Sequence, residues 1–117
     1  MKARNLLLAC LMGIAMLGAA GVTRAGDVRL FVRHEVVDYS AWRKAYDAFI
    51  STQKKNGVFY QAVYQSADDP NDVTVIHDFH SLEKAKAFAA LPELKAAMEK
   101  SGVKGTPQIW YTMKSPK

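Results

Sequence analysis

The sequence predicts an α+β domain of the ferredoxin-like kind, in the order βαββαβ, with a four-stranded antiparallel sheet carrying its helices on one face. Three observations predict it. Residues 28–36 alternate with period two, residues 42–50 repeat their apolar side chains at helical spacing, and a turn-rich stretch at 67–72 separates two further alternating runs.

Each element has its own signal. In the first strand Val28, Leu30, Val32, His34 and Val36 share one face, and Arg29, Phe31, Arg33 and Glu35 share the other. Asp38 or Ser40 then caps a helix running to about Asn56, in which Trp42, Ala45, Tyr46, Phe49 and Ile50 form one apolar stripe. Lys54 and Lys55 suit the negative end of that helix, and Gly57 stops it. Val58 to Gln65 and Val73 to Phe79 are the next two strands, joined as a hairpin through Ala67-Asp68-Asp69-Pro70-Asn71-Asp72. Ser81 caps a second helix with Leu82, Ala85, Phe88 and Ala89 inward; Pro92 interrupts it and opens a continuation from Glu93 to Ser101. After Gly105-Thr106-Pro107 a last strand, Gln108 to Met113, closes the sheet. Right-handed crossovers put both helices on one face. The other face, with Phe31, Phe59, Val63 and Ile76, is too apolar for water, and a second copy of the chain is its simplest cover. A homodimer is therefore expected.

Ahead of this domain, Lys2 and Arg4 precede an apolar run from Leu6 to Leu17 and a small-residue site ending Thr23-Arg24-Ala25. That is the layout of a cleavable secretory signal peptide over residues 1–25, which makes the mature protein periplasmic or secreted. The apolar stretch, interrupted by Gly13, Gly18 and Gly21, falls short of the ~20 apolar residues of a membrane span. Leu7-Leu8-Ala9-Cys10 imitates a lipoprotein box, but only Leu6 to Ala9 stand before Cys10, too few for an apolar core.

Cleavage after Ala25 takes 25 residues from 117 and leaves a domain of 92, residues 26–117, long enough for one modest core. It removes the only cysteine, Cys10, so disulfides, thiolate catalysis and cysteine metal sites are excluded from the mature chain. It also removes Lys2, Arg4 and Arg24 from 16 basic residues, leaving 13 against 11 acidic ones, a net charge of +2. So small a charge, scattered along the chain, is no nucleic-acid footprint, and after cleavage nothing holds the domain to a membrane.

His34 is the candidate catalytic residue. It shares the helix-side face of the first strand with Leu30 and Val32, and a neutral imidazole there can act as a base. The same position suits a core histidine satisfied by a carbonyl or by Asp38. His77, alternating with Val73, Val75 and Phe79, is expected to line the same cavity. In antiparallel neighbours, however, His34 and His77 fall at opposite ends of the ladder, so they make no metal pair, and no metal or cofactor is expected. Trp42, Tyr46, Tyr60, Tyr64 and Trp110 complete the substrate-binding set, with Tyr60 and Tyr64 as hydroxyl donors toward a phenolic or quinone ligand.

Val32-Arg33-His34-Glu35-Val36 followed by Asp38-Tyr39-Ser40-Ala41-Trp42-Arg43 resembles the opening of small proteins of the dimeric α+β barrel superfamily. Within it, the likeness is greatest to the antibiotic biosynthesis monooxygenase-like, or cyclase-like, domains. Residues 67–73, the run Phe88-Ala89-Ala90-Leu91-Pro92-Glu93-Leu94 and Gly102-Val103 extend it over nearly the whole mature chain. The resemblance implies a dimeric α+β barrel with a pocket between sheet and helices in each subunit. Its members include cofactor-free oxygenases of polycyclic phenols, haem-degrading enzymes and lactone isomerases. The haem-degrading branch uses an axial histidine on a helix, and neither helix here contains one.

Two functions follow as expectations. One is a cofactor-independent oxygenase or isomerase of a small aromatic substrate, with His34 as its base. The other is a non-enzymatic periplasmic binding or stress-response module for a small molecule such as a haem or quinone.

Overall fold

The structure is a computed structural model that describes residues 26–116; the expected signal peptide lies outside the described residues. The elements are β1 (Val28–Val36), α1 (Tyr39–Ala48), α2 (Ile50–Lys55), β2 (Tyr60–Gln65), β3 (Asp72–Phe79), α3 (Leu82–Ala89), α4 (Pro92–Lys100) and β4 (Val103–Met113). The four strands form one antiparallel sheet in the order β2-β3-β1-β4, as the sequence predicts.

Capping chemistry sets the helix starts. Asp38 Oδ2 accepts from the Ala41 amide at 2.9 Å, and Asn71 Oδ1 accepts from the Tyr39 amide at 2.9 Å, tying the hairpin to the start of α1. Ser81 Oγ accepts from the Lys84 amide at the start of α3. The helix expected to run unbroken to Asn56 is two helices meeting at Phe49. There ψ is −4°, and the Phe49 amide is shared between the carbonyls of Ala45 and Tyr46, which tightens the turn. The break lets the Phe49 ring lean toward Phe88, with centroids 6.4 Å apart.

Two strand boundaries also differ. The Val58 amide bonds back to the Gln53 carbonyl at 3.1 Å, so β2 starts at Tyr60 instead of Val58. β4 starts at Val103, five residues before the expected Gln108. Gly105-Thr106-Pro107 does not end the pairing. It forms a bulge opposite His34, because Arg33 pairs with Gln108 while Glu35 pairs with Lys104. Gly105, at φ +69°, supplies the left-handed turn that the bulge needs.

The core lies between the sheet and the helices. Val28, Leu30, Val32 and Val36 of β1, Val73, Val75 and Phe79 of β3, and Trp42, Tyr46, Ala85 and Phe88 of the helices are all buried there. The sheet's other face carries no helix. Cross-strand partners share a face, so Phe31 is joined there by Trp110 and Ile76, and Asp78 and Thr74 by Tyr60 and Tyr64. Val63 was expected on this face, but it pairs with Val75 and packs against the core. Phe59 stacks on His80 at the sheet edge, with centroids 4.1 Å apart.

Candidate functional site

Alternation of β1 and β3 and the apolar stripe of α1 aim their side chains at one recess between sheet and helices. Its walls include Val32, Trp42, Phe49, Val75, Phe88 and Met98, and its polar residues are His34, Tyr46, Gln53, His77 and Ser101. The recess measures about 480 Å³ counted with its open mouth and narrows to about 50 Å³ of free interior.

Aromatic rings run along it in sequence. His34 meets Trp42 edge-on at 5.6 Å, Trp42 stacks on Tyr46 at 5.0 Å, Tyr46 stacks on His77 at 6.0 Å, and His77 meets Phe88 edge-on at 5.3 Å. The Tyr46 hydroxyl donates to Gln61 Oε1 at 2.7 Å and lies 3.1 Å from His77 Nε2. The two histidines stand apart. His77 pairs with Leu30 and His34 with Val73, four rungs along the ladder, or roughly 13 Å.

Three buried side-chain atoms of this recess have no hydrogen-bond partner: His34 Nδ1, Gln53 Oε1 and His77 Nδ1. Asp38, the carboxylate expected near His34, caps α1 instead. Burial holds the imidazolium form of both histidines down, lowering His77 to about 4, while for His34 a backbone hydrogen bond and the charge of Asp72 oppose the effect. Burial likewise pushes the Tyr46 phenol up to about 12. At neutral pH the recess is therefore uncharged, with imidazole lone pairs or N–H groups facing apolar walls. Among the described residues, no cluster of three or more His, Cys, Asp or Glu is placed to hold a metal ion.

No family model matches the sequence, and no curated protein sequence matches it. Solved structures do. A protein assigned as an antibiotic biosynthesis monooxygenase from Bordetella bronchiseptica superposes with a TM-score of 0.68 at 12% identity, over 78% of this chain and 99% of that one. SnoaB, a cofactor-independent oxygenase from Streptomyces nogalater, gives 0.65 at 11% identity, over 80% and 97%. A further assigned antibiotic biosynthesis monooxygenase, from Caulobacter crescentus, gives 0.65 at 16%, over 85% and 99%. The chain has the antibiotic biosynthesis monooxygenase fold.

Within this monooxygenase fold the structure brings together His34, Trp42, Tyr46 and His77 of the residues singled out from sequence. It sets Tyr60, Tyr64 and Trp110 on the opposite sheet face, outside the recess. β2 pairs with β3 so that Tyr60 sits beside Asp78 and Tyr64 beside Thr74, and Trp110 stacks flat on Phe31 at 5.0 Å. Gln53 is a recess residue that the sequence reading did not weigh, whereas Met98, read there as an inward residue of the Glu93–Ser101 helix, does line the recess. Gln53 had a signal: it continues the stripe Trp42, Tyr46, Phe49 at helical spacing, a polar side chain on an apolar face.

Proposed function

We propose that the recess binds a small aromatic substrate and that the chain is a cofactor-independent oxygenase or isomerase in which His34 takes the substrate's proton. The observation that carries this reading is the set of unpartnered polar atoms, His34 Nδ1 among them, inside an aromatic-walled recess. Buried polar groups are ordinarily paired, so these atoms suit a ligand better than a finished core. His34 is the better base of the two histidines, because His77 is held down to about 4 and takes a proton poorly near neutral pH. Removing a phenolic proton concentrates electron density on the ring, and dioxygen can then oxidise it: phenol and dioxygen give quinone and water, with all atoms balanced. The fold shared with SnoaB, a cofactor-independent oxygenase, supports this chemistry.

Oxygen consumption across a panel of phenols tests the reading. A rate that drops at least about a hundredfold in His34→Ala, in line with loss of a general base, supports it; an unchanged rate removes His34 from the chemistry. A second reading, a binding module without turnover, is favoured by the weakened basicity of both histidines. Saturable binding without oxygen uptake would select it.

Two further parts of the proposal concern the whole chain. Residues 1–25 act as an export signal, which the N-terminal sequence of protein recovered from the host periplasm checks. The bare sheet face joins two copies into a homodimer; half-exposed Phe31–Trp110 and Tyr60–Arg29 contacts support that assembly.

A further inference from the structure

The free interior of the recess, about 50 Å³, is below the ~150 Å³ of a cavity that takes benzene. A ring enters only if a wall gives way. Most walls are held from behind. Trp42 stacks on Tyr46, whose hydroxyl is bonded to Gln61, and Phe88 is wedged between His77 and Phe79. His34 also borders a surface cleft, but its backbone is fixed in the ladder opposite Val73. Met98 is different. It is partly buried and unbranched, a side chain that adapts readily, and it also lines an open groove of about 270 Å³ between α4 and β4. Lys95, Glu99 and the Gly105-Thr106-Pro107 bulge border that groove. α4 itself starts without a side-chain cap and meets the sheet chiefly at β4.

The groove lies at the His34 end of the recess. Its bulge stands opposite His34, and the Gly102 carbonyl just past α4 accepts from the Val37 amide just past β1 at 2.9 Å. We propose that Met98 is the gate of the recess and sets the shape of substrate it admits. This rests on the ligand-pocket reading above. With Met98 turned aside the two spaces join, and together they reach the roughly 300 Å³ at which ligand sites begin. A ring passing the gate meets His34 and Trp42 first. A chain on that ring trails in the groove, its outer end beside Lys95, Glu99 and Thr106. The substrate that fits is a single ring bearing a chain.

Trp42 reports on the gate. In a Trp110→Phe background it is the chain's one tryptophan, and it is 4% exposed, so acrylamide should quench it poorly. Met98→Ala should raise that quenching several-fold. Leu94→Ala removes a more buried side chain from the same helix, one that lines the recess but not the groove. It should leave Trp42 shielded. Equal quenching in the two variants overturns the gate. Titration with 4-butylphenol, read at the same fluorescence, tests the passage. Met98→Phe, which fills the gap with a stiff ring, should weaken binding at least about tenfold. Wild-type affinity in that variant also overturns the gate, with the pocket reading left standing. If 4-butylphenol changes Trp42 emission in neither the wild type nor any variant, the pocket reading itself falls and takes the gate with it.

Discussion

His77 shows what burial does to a single side chain. Its ring is enclosed by Tyr46, Phe88 and the sheet, and its proton affinity is lowered from the ordinary 6.5 to about 4. The fold therefore favours the neutral ring, and the unfolded chain takes the proton first as pH falls. Stability should be whole above about pH 6.5, decline between there and about pH 4, and lose nothing more from this group below that. The shift corresponds to about 3 kcal/mol. Urea denaturation at stepped pH measures it, and His77→Gln, which does not titrate, should flatten the decline. His34 adds a change in the same direction. At this scale the sequence was a good guide on β1 and β3, where alternation alone gives the face. It was a poor one for Tyr60 and Tyr64: a tyrosine's need for a hydroxyl partner does not say which side of the sheet it is on.

Among the elements, α1 is started by two side chains, Asp38 and Asn71. Asp38 closes its first turn from outside, so Asp38→Ala should cost about 1 kcal/mol, read as a lower urea midpoint with an unchanged slope. The recess should keep its ring contacts, because the Trp42 and Tyr46 stripe is set by helical period and not by the cap. Local signals of this kind, namely caps, stripes and turn residues, made the order of elements legible. What they missed was non-local. Gly105-Thr106-Pro107 reads as a turn in isolation, and only its pairing partner on β1, some seventy residues earlier in the chain, makes it a bulge within one long strand. The register of β2 on β3 decides the faces of Tyr60 and Tyr64 in the same way. Gln53, by contrast, was available from the helical stripe.

For the molecule as a whole, the bare sheet face carries the clearest expectation. Trp110 and Phe31 stack there, Tyr60 lies under the Arg29 guanidinium, and Arg29 and Arg33 are clamped to Asp78 and Asp72. Such exposed ion pairs contribute little alone, but between two copies they would frame the apolar centre. Trp110→Glu should abolish the proposed dimer in sedimentation while leaving the recess intact, since Trp110 lies outside it. A wild-type monomer would refute the assembly.

The sheet order also bears on how the chain acquires its shape. β1 is made before every other strand, yet it lies inside the sheet, and its two neighbours, β3 and β4, begin at Asp72 and Val103. Until β4 emerges, β1, with its buried face of Val28, Leu30, Val32 and Val36, has one open edge, and before β3 it has two. A ribosome extending this chain therefore holds an adhesive segment in waiting for almost the whole of synthesis. The long closures between β1 and its partners place the fold among slow, topology-limited ones. Chaperone dependence during synthesis, and not only final stability, is where lesions in β4 should first be felt.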